Sequence, residues 1–250
     1  MEDPGLLTWL LGPIDPARPH AVDATHAWHG RLMVLAWGVL IPIGVIAARF
    51  FKVLPRQRFP EEVDNRVWWR THLIAQWSSL ALMAAGLWLV WNATLALPSI
   101  TGTRWLHGWL GWAVLALGLL QGISGLLRGS KGGPNDPRGR MRGDHYDMTP
   151  RRLLFERLHK TVGYGAMMLA MAAVLSGMWQ ANAPRWMWGV IPVWWALLIV
   201  LFVLFQRRGM VIDTYLAIWG PDPSHPGNNR IRALPDRRRH GGGNSGSTTL

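Results

Sequence analysis

Five stretches of mostly apolar residues punctuate the chain, at about Trp28–Ala48, His72–Ala93, Trp105–Leu127, Leu158–Trp179 and Met187–Phe205. The segments between them are polar and rich in Gly, Pro and Arg. A helix of about 20 apolar residues crosses a hydrocarbon core of about 30 Å. In lipid each stretch must be helical, because every unpaired backbone N–H or C=O costs several kcal/mol. No period-two alternation suggests a barrel. The pattern predicts an all-α integral membrane bundle of five transmembrane helices, with short linkers near 94–104 and 180–186 making neighbours antiparallel.

Around this membrane domain, taken as 26–206, lie an N-terminal arm (1–25) and a C-terminal segment (207–250). The arm holds an apolar turn at Leu6–Leu11. A short interfacial helix is expected over 207–219, and the Gly- and Arg-rich tail beyond it reads as disordered. The linker 128–150 is long and Gly/Pro/Arg-rich, so it should be irregular. Thr149 and Pro150 mark the next helix start, as N-cap and first helical residue.

Four of the five apolar stretches open with a histidine: His29, His72, His107 and His159. Consecutive membrane helices alternate in direction. His29 and His107 therefore lie at one face, and His72 and His159 at the other. An ionisable residue in a membrane helix marks function by default. Two imidazoles from different helices match the axial positions of a haem iron, with the apolar porphyrin filling the gap between helices. The layout predicts two non-covalent b haems, with irons roughly 20 Å apart across the bilayer.

The neighbours agree. The third and fourth helices read His107-x-x-x-Gly111 and His159-x-x-x-Gly163, which puts a glycine on the ligand's own face, where a flat ring must approach. The first has His29-Gly30. Gln76 lies one turn after His72, within hydrogen-bonding reach of the site. Gly118, Gly122 and Gly125 extend a small-residue stripe that also suits ordinary helix packing. Haem propionates need cations: Arg49, Arg70 and Lys160 are candidates at one face, Arg31 and Arg104 at the other. His26, one turn before His29, is an alternative ligand, a residue serving an outer substrate, or a plain surface residue. His20, His145, His225 and His240 fall in loops or the tail and read as solvated.

Charge assigns the faces. Of the 26 lysines and arginines, all but Arg18, Arg31, Arg104 and Arg185 fall in 49–71, 128–160 or the C-terminal segment. By the positive-inside rule these segments are cytoplasmic, the N-terminus outside and the C-terminus inside a plasma or inner membrane. The net charge of +12 is thereby explained by membrane-side loops and calls for no nucleic acid. Many of the 17 Trp stand near helix ends, as an interfacial belt. With no Cys, iron–sulfur clusters, disulfides and covalent c-type haem are excluded. No cleavable signal peptide is evident.

The segments HGRLMVLAWGVLIPIGVIAARF (29–50), THLIAQ (71–76), HGWLGWAVLALGLLQGISGLLR (107–128) and FERLHKTVGYG (155–165) resemble the cytochrome b561 family, in particular the membrane part of proteins that join this core to a DOMON domain. The resemblance covers about 26–180. It implies a four-helix core binding two b haems through His29–His107 and His72–His159, with one peripheral helix. It further implies functional roles for Arg49, Gln76 and Gln121, a cytoplasmic donor such as ascorbate, an outer acceptor such as ferric iron, and homodimers. The chain departs from many members in showing neither a sixth, N-terminal helix nor a DOMON domain, and in its long linker and tail.

The sequence thus predicts a di-haem b cytochrome passing single electrons from a cytoplasmic or membrane donor to an outer acceptor, either a small molecule or a separate redox protein. The alternative is a quinol-oxidising subunit feeding a partner enzyme. Cytochromes that stack two haem histidines on one helix are disfavoured, since no helix here carries such a pair. A haem-free transporter or scaffold would call for charges at mid-membrane, and no acidic residue lies within the apolar spans.

Overall fold

The computed structural model describes residues 5–20, 22–91, 102–134 and 139–233. The end of the second apolar stretch with most of the linker after it, His240 and the tail beyond 233 lie outside these. Among the described residues, five helices are long and apolar enough to cross a membrane: Ala24–Phe50, Val67–Leu89, Arg104–Leu126, Pro150–Gln180 and Arg185–Arg207. We call these the first to fifth spans. The first packs on the second and the third on the fourth, giving two antiparallel hairpins, and the fifth lies against the first. The fourth begins as its sequence dictates. Thr149 caps it by accepting from the Arg152 amide, and Pro150 opens it.

The first span is not uniformly α-helical. Ala24–Met33 and Ile41–Phe50 are α-helix, and Val34–Leu40 between them is π-helix. Pro42 explains part of this. It has no N–H to return to the carbonyl four residues earlier, which is that of Gly38. The Gly38 carbonyl is satisfied from outside, by the indole N–H of Trp194 on the fifth span at 2.8 Å. The Ile41 carbonyl accepts from Gln76 at 3.4 Å.

The two hairpins meet around Ala36, Trp37, Ile41, Met83, Val114, Ala166, Ala170 and Ala173. Ala166, Ala170 and Ala173 share one face of the fourth span. With no hydrophobic drive between helices in lipid, close approach through small residues carries the packing. At Gly44 a Cβ would lie 2.9 Å from that of Ala75, and at Gly118 it would lie 2.7 Å from the Met83 methyl.

Both ends of the bundle are tied off. At the end where the first span begins, Asn182 is buried and clasps the N-terminal arm. Its amide donates to the carbonyls of Asp15 and Arg18, both at 2.9 Å, and its oxygen accepts from the Asp15 amide at 3.0 Å. The apolar turn at Leu6–Leu11 is a short helix, fastened by Arg185, which donates to the Trp9 carbonyl and stacks on its ring.

At the basic end the linker between the third and fourth spans folds onto the segment after the fifth. His145, expected to be solvated, is instead 2% exposed, against Tyr215 at 5.5 Å and Trp219 at 6.4 Å between ring centroids. The difference arises because residues 214–219 form a short helix that brings these two aromatics over the linker, and Tyr215 donates to the Tyr146 carbonyl at 2.9 Å. Lys131 pairs with Asp64 at 2.6 Å, tying in the loop after the first span. A further helix, Pro226–Ala233, lies within the expected tail.

Candidate functional site

The four span-opening histidines come together in two pairs. The rings of His29 and His107 are neighbours, with centroids 6.2 Å apart and planes at 88°. Those of His72 and His159 are 6.3 Å apart at 74°. The pairs sit at opposite ends of the two hairpins, as the alternating helix directions require.

In each ring the engaged nitrogen is Nδ1. His29 Nδ1 lies 2.9 Å from the Gly86 carbonyl, His72 Nδ1 3.1 Å from that of Gly44, and His107 Nδ1 3.0 Å from that of Ala173. A carbonyl only accepts, so these contacts place the proton on Nδ1. His159 Nδ1 is 3.0 Å from the Ser124 hydroxyl. That hydroxyl donates to the Gln121 carbonyl at 2.9 Å, which leaves it to accept from His159. All four imidazoles thus present an unprotonated Nε2, the form that ligates metal, with the other nitrogen held as outer-shell partners hold it.

The pairs fit haem iron better than a bare ion. Two metal–nitrogen bonds of about 2 Å each, together with the half-widths of two imidazoles, account for centroid separations near those observed. Among the described residues no group of three or more His, Cys, Asp or Glu is placed to hold an ion. A two-imidazole site suits a metal that arrives with its own equatorial nitrogens. Beside His107, a Cβ on Gly111 would find no atom within 4 Å, and on Gly163, beside His159, the nearest would be Gln121 at 3.6 Å. Both positions leave room for a flat group.

The remaining candidates are placed as follows. Gln76 abuts Gly44, whose Cβ it would meet at 2.7 Å, and bonds the first span rather than a histidine. Arg49 reaches Gln206 at 2.8 Å and Tyr164 at 3.5 Å, and stacks on Phe202. Lys160 pairs with Glu156 at 3.2 Å. Arg70 is exposed near His72, and Arg31 lies over Trp28 at 4.9 Å. His26 pairs with Asp23 at 2.7 Å, away from the His29–His107 pair. At the rim beside Arg49, burial lowers the Lys52 ammonium to about 8 against the partial support of Asp213.

Sequence reasoning missed the acceptors Gly44, Gly86, Ala173 and Ser124. It also missed Gly177, where a Cβ would stand 2.8 Å from His107 Cε1. Three of the acceptors act through main-chain carbonyls, which leave no side-chain signal.

The chain is similar to known proteins over much of its length. A family model described as eukaryotic cytochrome b561 matches residues 28–183, more than half of the chain. A cytochrome b561, DM13 and DOMON domain-containing protein of Arabidopsis thaliana is 29% identical over 150 residues, which is 60% of this chain and 14% of that protein. Ferric-chelate reductase 1 of Homo sapiens is 27% identical over 155 residues, 60% of this chain and 22% of that protein. Its counterpart in Mus musculus is 30% identical over 155 residues, with the same shares. The chain thus spans less than a quarter of the length of these relatives. No solved structure matches.

Proposed function

The chain belongs to the cytochrome b561 family, and on that footing we propose that it is a multi-pass membrane carrier of single electrons, holding one b haem between His29 and His107 and a second between His72 and His159. A haem iron with two axial imidazoles supplies one-electron exchange with no open position for oxygen. The observation that carries the reading is the pairing of the imidazoles at 6.2 and 6.3 Å with Nδ1 engaged in every ring.

The chain's own residues do the positioning. Gly86, Gly44, Ala173 and Ser124 fix tautomer and ring orientation, so each Nε2 is aimed before a metal arrives. Between the pairs, the buried Trp37, Met83, Val114 and Ala170 keep water out and the local dielectric low. Arg70 and Lys160 at one rim, and Arg31 at the other, supply cations for propionates. The concentration of Lys and Arg around 49–71 and 128–160 supports a cytoplasmic basic face. That face suits a small anionic donor such as ascorbate. The ferric-chelate reductase name of two relatives supports ferric iron in chelated form as acceptor at the opposite face, in a homodimer or with a partner redox protein.

The test is a dithionite-reduced minus oxidised spectrum with haem quantitation on purified protein, for wild type, His72→Ala and His107→Ala. Two low-spin b haems per chain, with one lost in each variant, is the expected result. Well-folded protein without haem would overturn the reading.

A further inference from the structure

The two histidine pairs are not equivalent in their surroundings. Trp69, one turn before His72, lies 6.3 Å from the His72 ring and tilted by 31°. The guanidinium carbon of Arg128, at the end of the third span, sits 4.5 Å above the Trp69 ring, and Nη1 donates to the Gly125 carbonyl at 3.1 Å. On the other side of the pair, Phe155 lies 5.0 Å from the His159 ring at 34°, and Arg152 sits 5.1 Å over Phe155. Each ligand is thus backed by an aromatic ring, and each ring by an arginine.

The two arginines differ in charge balance. Arg152 is paired at 3.0 Å with Glu156, a carboxylate it shares with Lys160, so its charge is offset in part. Arg128 has no carboxylate partner among the described residues, and it is half-buried. Trp is the best aromatic seat for a guanidinium, and this seat holds a long side chain that would otherwise extend to water. Among the described residues no aromatic ring with an arginine over it backs His29 or His107: Arg31 lies two residues from His29, on another helix face, over an exposed Trp28, and Arg104 is exposed.

We propose that Arg128, seated on Trp69, is a tuning residue that sets the reduction potential of the His72–His159 site above that of the His29–His107 site. The inference rests on reading these histidines as haem ligands. An uncompensated cation held in a half-buried position is weakly screened, and it favours the electron-rich state of a group nearby. The outer shell of the ligands acts in the same direction. Both ligands of the other pair donate to peptide carbonyls, whereas His159 donates to the Ser124 hydroxyl, a poorer acceptor. That leaves its imidazole less electron-rich and the oxidised iron less stabilised.

The experiment is spectroelectrochemical titration of the purified, haem-loaded full chain as wild type, Arg128→Gln, Arg128→Lys and His107→Ala. Wild type is expected to titrate in two waves. His107→Ala, which keeps only the His72–His159 haem, should retain the higher one. Arg128→Gln should move that higher wave to lower potential and leave the other in place, and Arg128→Lys should restore most of the shift. If Arg128→Gln loses that haem, Trp69→Leu reads the same shift by unseating the cation. Unmoved waves in the Gln variant, movement of the lower wave instead, or retention of only the lower wave in His107→Ala would overturn the proposal. A wild-type chain that binds no haem would overturn the ligand reading itself, and this is seen in the spectrum before any titration.

Discussion

His72 Nδ1 lies 3.1 Å from the carbonyl oxygen of Gly44, and the contact runs from the start of one helix to the far end of its neighbour. His29 answers it across the same helix pair in the opposite direction, with Gly86 as acceptor at 2.9 Å. The third and fourth spans repeat the exchange, His107 to Ala173 and His159 to Ser124. A glycine at positions 44 and 86 lets the helices approach until these bonds form. Each imidazole's orientation is therefore a property of a helix pair, and it can be tested one histidine at a time.

Gly177→Ala should cost the His29–His107 haem alone. The new Cβ would stand 2.8 Å from His107 Cε1 and 3.2 Å from Nδ1, against a ring already held by Ala173 and Ser176. Haem quantitation should fall from two per chain to about one, with the His72–His159 spectrum unchanged.

Ser124→Ala should act on the other site. It removes the hydrogen-bond acceptor of His159 Nδ1 among the described residues and frees the ring to rotate. Loss of an outer-shell partner of this kind weakens metal binding about 10- to 100-fold. Competition with a haem-scavenging apoprotein should strip one haem from the variant faster than either haem from wild type.

His145 should make the basic cap acid-sensitive. Burial, reinforced by Arg152 and Lys131 and only partly opposed by Glu156, lowers this imidazole to about 4. The unfolded chain binds the proton near the ordinary value of about 6.5, and the folded chain does not. Stability is therefore complete above that value and is lost as pH falls from about 6.5 to about 4, by on the order of 3 kcal/mol. Thermal midpoints measured across this range should fall less steeply for His145→Gln than for wild type.

Asn182→Ala should release the N-terminal arm. The side chain is 1% exposed and satisfies main-chain groups of Asp15 and Arg18 more than 160 positions away. Leaving such groups unpaired costs about 1–3 kcal/mol each where water cannot replace the partner. Endoproteinase Asp-N should cut before Asp15 much faster in the variant, while haem content stays at the wild-type level.

The spans and the four histidines were legible because each is announced by its own side chains: twenty apolar positions, or an imidazole at their start. Thr149 and Pro150 were legible for the same reason. Gly44, Gly86 and Ala173 were not, because they act through carbonyls that every residue possesses. Ser124 was hidden in a stripe of small residues that reads equally as helix packing. His145 sits in a run of Gly, Pro and Arg that looks solvated, and its burial depends on Tyr215 and Trp219 about 70 positions later. The seat of Arg128 on Trp69 joins the end of one span to the start of another, which no local pattern encodes.

The reciprocal bonding within hairpins also bears on how the protein is made. The first hairpin leaves the insertion machinery with His29 and His72 already oriented by Gly86 and Gly44, and the second emerges with His107 and His159 oriented by Ala173 and Ser124. On the reading proposed above, each newborn half carries one prepared ligand for each haem and completes neither site. The haems would then be the mortar between two prefabricated walls, and their supply would set the moment at which synthesis turns into assembly.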